Sequence, residues 1–161
     1  MDLTDFYATI SGVGFTLLGL WWVVVDKHPE WFKDPLMAKM AYVVSLQFMI
    51  PAASSVLSLV PSSSGVVWRV VFAVTGLVGL AATALVARAV PGNKRRTATL
   101  TLLFGLPVYI AVVAVAAFPK ALPAGLTGLQ VEAFLMAFVL LLGLHAVWFF
   151  TYRSETSETP Q

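Results

Sequence analysis

Apolar residues fill five long runs of this chain, and polar residues are confined to the short intervals between them. The runs extend from Phe6 to Val25, Met40 to Val60, Val66 to Ala87, Thr97 to Phe118 and Leu126 to Tyr152. At 1.5 Å rise per residue a helix needs about 20 apolar residues to cross a bilayer, and each run is that long. The pattern predicts an all-α, polytopic membrane protein. It is a five-transmembrane-helix bundle in one domain over residues 1–153, followed by a polar tail over 154–161 that lacks periodicity and is expected to be disordered.

The intervals carry recognisable breakers. Pro61 to Gly65, Pro91 with Gly92 and Asn93, and Pro119 to Gly125 make short connections, so sequential spans should pack as antiparallel neighbours. The first interval, Asp26 to Pro35, is longer and mixes Trp31 and Phe32 with charges, which predicts a short amphipathic segment lying in the interface. Pro51 and Pro107 occupy central positions in spans two and four, but the residues around them do not match. No inverted repeat of the kind found in secondary transporters is indicated.

Composition removes the soluble alternative. The chain is 59% hydrophobic and 11% charged, where a globular domain has roughly 45 to 50% and 25%. Five spans leave no room for a folded domain outside the membrane. Cysteine is absent, which excludes disulfides and thiolate chemistry.

Charge placement supplies an orientation. Lys27, Lys33, Lys39, Arg88, Lys94, Arg95, Arg96 and Arg153 flank one side of the spans, leaving Arg69 and Lys120 for the other. By the positive-inside rule the basic side is cytoplasmic, giving an N-terminus outside and a C-terminus inside. Trp21, Trp22, Trp31 and Trp148 on the inner side, with Phe6, Tyr7 and Trp68 on the outer, read as interfacial aromatic belts. Met1 to Asp5 has two acids and no basic residue before the first run, unlike a signal peptide, so the first span is expected to be retained.

Small residues mark where helices approach in lipid. Ala8, Gly12, Thr16 and Gly19 form one stripe on span one, and Ala73, Gly76, Gly79, Thr83 and Ala87 another on span three. Either stripe could serve contacts within a subunit or between subunits. Pro51 and Pro107 each remove a backbone hydrogen bond at mid-span, freeing the carbonyls of Gln47 and Leu103 and favouring a kink. Gln47 is itself an amide near the bilayer centre, so span two combines a kink with a polar group.

Ionisable groups within spans are the sharpest site signal, because each costs about 2.5 to 3.5 kcal/mol on insertion scales. Glu132, Arg69 and His145 are the candidates. Arg69 and Glu132 fall at comparable depth and could pair as a staple; alternatively Glu132 faces a path and carries protons. His145 lies thirteen residues beyond Glu132, roughly 20 Å along the helix, too far for a dyad. Asp26, His28 and Glu30 alternate suggestively, yet no fourth ligand completes a zinc-like set, and no metal or cofactor is expected. Lys94, Arg95 and Arg96 read as topology signals meeting anionic headgroups, not as a nucleic-acid site.

No catalytic or nucleotide-binding motif is present, and no enzymatic activity is expected. Two classes of function fit. One is a small channel or transporter, homo-oligomeric, passing an ion or small solute along Glu132, Gln47, Ser11, Ser54, Ser55 and Thr75. The other is a non-transporting accessory or regulatory subunit whose apolar faces bind another membrane protein. The compact loops and absence of cysteine suit a multi-pass protein of a bacterial inner membrane.

Overall fold

A computed structural model describes residues 2–60, 65–89, 95–122 and 125–155 of the chain. Those residues form five helices and no strand: α1 (Leu3–Asp26), α2 (Pro35–Ser58), α3 (Val66–Ala89), α4 (Arg95–Ala117) and α5 (Gly128–Glu155). Four of them, α1, α2, α3 and α5, are long and apolar enough to cross a membrane. In α4 the apolar stretch is the shorter Gly105–Ala117, within a helix of 23 residues. The chain is an all-α, multi-pass membrane protein, as the apolar runs predict. Pro61 to Ser64, Pro91 to Lys94 and the tail beyond Glu155 lie outside the described residues.

Helix ends depart from the apolar runs where capping chemistry decides. α2 starts at Pro35, ahead of Met40, because the Asp34 carboxylate accepts the Leu36 N–H at 2.8 Å and Pro35 brings a helical φ to the first turn. α5 continues to Glu155, two residues into the stretch expected as tail. Both α2 and α4 run through their prolines without a break. Between α1 and α2 the expected amphipathic segment is a 3-10 turn, Pro29–Lys33, whose Trp31 is buried while Phe32 is exposed.

The helices are arranged as a ring in chain order, closed by α5 against α1, and α2 meets α5 across the middle. α2 is the central helix: 56% of its membrane-length window is buried, against 28 to 33% for α1, α3 and α5. Leu3, Ser58, Val66, Ala117 and Gly128 therefore lie at one end, the amino end. Asp26, Pro35, Ala89 and Arg95 lie at the other, the basic end, together with Lys27, Lys33, Lys39 and Arg88.

The two small-residue stripes have different fates. On α3, Gly76 faces Val112 and Val113, Gly79 lies under the ring of Tyr109, and Thr83 meets Gly105, so that stripe is the contact with α4. Side chains at Gly76 or Gly79 would collide with these neighbours. On α1, Ala8, Gly12 and Gly19 are exposed, and nothing lies within 4 Å of where a Cβ would stand at Gly12 or Gly19. α1 instead approaches α2 at Gly14, where an added Cβ would come within 2.8 Å of the Ala52 methyl and 3.2 Å of the Phe48 carbonyl. Its inward face is Tyr7, Ser11, Gly14, Trp21 and Val25. Bulky aromatics on that face leave the small residues turned away from the bundle, at successive positions roughly 100° round the helix.

Several aromatics assigned to the interfacial belts are core residues. Tyr7, Trp21 and Trp31 are only 2 to 3% exposed, whereas Trp22 and Trp148 are exposed. The Trp21 Nε1–H lies 3.1 Å from both the Ala41 carbonyl and the Ser45 hydroxyl, satisfying the indole inside the bundle. Trp31 stacks on Trp21 at 5.9 Å between ring centroids, and His28 stacks on Trp31 at 4.4 Å and 6°. The 3-10 turn is thereby pinned to α1 and α2 by aromatic area.

Candidate functional site

Glu132 lies on the buried face of α5 made by Leu129, Glu132, Ala133 and Met136, spaced as successive turns of one helix require. The apolar members of that face pack in a cluster with Tyr7 of α1, Phe72 of α3 and Val112 and Ala116 of α4. Four helices thus converge at the amino end around a wall that holds one carboxyl. Glu132 has no exposed surface, and neither of its carboxylate oxygens has a hydrogen-bond partner among the described residues. Ser55 of α2, also fully buried, has an unpartnered hydroxyl one turn before Leu59, which packs on the same cluster.

Tyr7 is the polar neighbour that the belt assignment hides. Its hydroxyl donates to the Leu129 carbonyl at 2.7 Å, and it lies within electrostatic range of Glu132. This bond ties α1 to the first turn of α5 and fixes the acid's helix in place. The Tyr7 proton is committed to Leu129, so it does not serve the carboxyl.

Arg69 does not neutralise Glu132. Its guanidinium donates from Nε to the Ala116 carbonyl at 2.8 Å and from Nη2 to the Ala117 carbonyl at 2.9 Å. These are the last carbonyls of α4, which no longer have intrahelical partners and carry the negative end of the helix dipole. The staple expected between Arg69 and Glu132 is replaced by a cap from α3 onto the end of α4. Equal depth is compatible with both arrangements; the end of α4 is what claims the cation.

The remaining candidates are scattered. Gln47 is half-buried where α2 crosses α5 beside Gly143, with Oε1 buried and unpartnered. Gly143 is eleven residues from Glu132, about 16 Å along α5, so amide and acid belong to different layers. His145 is exposed near the basic end, where its Nδ1–H donates to the Leu141 carbonyl at 2.8 Å. Pro51 is fully buried, and one turn on Ser54 donates to the Ile50 carbonyl at 2.7 Å and sits 3.1 Å from the Thr75 hydroxyl of α3. Pro107 is exposed on α4. His28 and Glu30 bond to each other at 2.9 Å, and the described residues contain no group of side chains able to hold a metal. Hydrogen bonding from the backbone at Glu30, followed by that from His28, holds the Glu30 carboxyl below the usual carboxylate range.

Chemically, the Glu132 setting suits a proton better than a metal ion. Hard cations take several oxygen ligands, and the cluster around the Glu132 face is built of aliphatic and aromatic side chains. A carboxyl needs no ligand shell to hold a proton. An isolated carboxylate in such surroundings is costly. No family model, curated protein or solved structure matches this chain.

Proposed function

We propose that this chain is a small membrane transport protein that works as a homo-oligomer, with Glu132 as the group that takes up and releases a translocated proton. The observation that carries the reading is the Glu132 carboxyl itself, fully buried within a span and bonded to nothing. A structural charged group would be hydrogen-bonded, as the Arg69 guanidinium is to the end of α4; an acid kept at a cost to insertion with no bond in return marks a functional site. Uptake needs the α1, α4 and α5 contacts to part far enough for water to reach the carboxyl, and release repeats this toward the opposite face. Self-association is supported by the exposed stripe of Ala8, Gly12 and Gly19, a surface on which a second helix can approach closely. The basic end faces the cytoplasm on the positive-inside rule, and the chain has no enzymatic role.

The test combines oligomeric mass in detergent with flux in proteoliposomes. An imposed pH gradient should dissipate through the native protein and persist with Glu132→Gln, while the oligomeric mass stays the same. Flux unchanged in Glu132→Gln would reject the site. A strict monomer that passes neither protons nor common ions would reject transport and leave the accessory-subunit reading, with the α1 stripe as its docking face.

A further inference from the structure

At the basic end α2 and α3 separate into a cleft of about 540 Å³. Its walls are Tyr42 and Leu46 of α2 and Val78, Ala81 and Leu85 of α3, with Lys39 at its end. Tyr42, Val78 and Leu85 are all exposed, so the cleft opens sideways, toward lipid. Arg88 stands three residues beyond Leu85 and seven beyond Ala81, on the same stripe of α3, just past the lining residues and at the same end of the bundle as Lys39. Both cations are exposed, and among the described residues the ion pair formed is His28 with Glu30, which involves neither.

We propose that this cleft is a binding site for an anionic phospholipid, with one acyl chain lying between α2 and α3 and the phosphodiester held by Lys39 and Arg88. The site is independent of Glu132, which belongs to the other end of the bundle. Three observations select this occupant. The walls are apolar and the two charges are gathered at one end, which matches the polarity of a lipid. The walls run from Ala38 to Leu46 and from Val78 to Val86, about 12 Å along the helices, whereas a partner helix would need contact over much of the roughly 30 Å hydrocarbon layer. The charged end lies where the helices terminate, at headgroup depth, so the cleft descends into a single leaflet.

Full-length protein in detergent is titrated with phosphatidylglycerol and, separately, with phosphatidylcholine, and bound lipid is counted by native mass spectrometry. One phosphatidylglycerol per chain is expected to be retained at concentrations where phosphatidylcholine is lost. Lys39→Gln combined with Arg88→Gln, at two exposed positions that leave the core intact, should weaken phosphatidylglycerol about thirtyfold, roughly fivefold per cation. Lys27→Gln combined with Lys33→Gln, at the same end but off the cleft, should leave retention unchanged. Ala81→Trp, which fills the cleft, should abolish retention. The proposal is overturned if the two lipids bind equally, if the control pair weakens binding as much as the cleft pair, or if inorganic phosphate displaces the lipid. It is also overturned if Ala81→Trp leaves the lipid in place and instead splits an oligomer, which would assign the cleft to a second copy of the chain.

Discussion

Trp21 and Glu132 are both buried side chains with polar atoms, one toward each end of the bundle, and they differ in what meets those atoms. The Trp21 indole N–H finds the Ala41 carbonyl and the Ser45 hydroxyl, and its ring is covered by Trp31. The Glu132 carboxyl finds nothing, and the Ser55 hydroxyl at the same end is likewise unpartnered. A satisfied buried group ties its helices together and is part of why they stay in register. An unsatisfied one costs about 1 to 3 kcal/mol, more if charged, and contributes nothing to the fold. The basic end is thus built for stability around its aromatic stack, and the amino end tolerates a penalty.

Four substitutions bear on this contrast. Trp21→Phe, which keeps most of the ring but removes the N–H, should lower stability to thermal or denaturant unfolding in detergent by about 2 kcal/mol through lost hydrogen bonding and packing. Glu132→Leu should move the other way, raising stability by about 1 kcal/mol in the same measurement, because an unpartnered polar group is replaced by an apolar one of similar size. A loss above about 2 kcal/mol would show that the carboxyl has a structural partner, and the contrast would collapse. The smallest effect separates two serines of α2. Ser45→Ala, which removes a hydroxyl in contact with Trp21, should cost about 0.6 kcal/mol, typical of side-chain hydrogen bonds in membranes, while Ser55→Ala should cost nothing measurable. Equal losses at the two serines would erase the distinction between the ends.

The spans were legible because a helix in lipid has to be apolar over its length, and no packing detail alters that. The start of α2 was legible too, in Asp34 and Pro35, although hydropathy alone draws the boundary at Met40. Which face of a helix turns inward was not. The stripes on α1 and α3 both place small residues at intervals of three and four, yet one is packed against α4 and the other is exposed. The difference lies in their neighbours: α1 also carries Tyr7, Trp21 and Val25 at heptad-like spacing, and burying that aromatic area outweighs close backbone approach. The same competition buries Tyr7, Trp21 and Trp31 inside the bundle. Glu132 stood out as an acid within an apolar run, but its isolation depends on Arg69 being taken by the end of α4, a contact between residues 47 and 48 positions apart that no local pattern encodes.

Closure of the ring by α5 against α1 also bears on assembly. The Tyr7 to Leu129 bond joins residues 122 positions apart, and the acid rides on α5, which leaves the ribosome after α1 to α4. A chain synthesised from its amino end delivers α1 to α4 to the bilayer before Glu132 emerges, so the receiving wall of Tyr7, Phe72 and Val112 is already in place when the carboxyl arrives. Truncation ahead of α5 would leave that wall facing lipid, a greasy seam against which the final helix is the natural gasket.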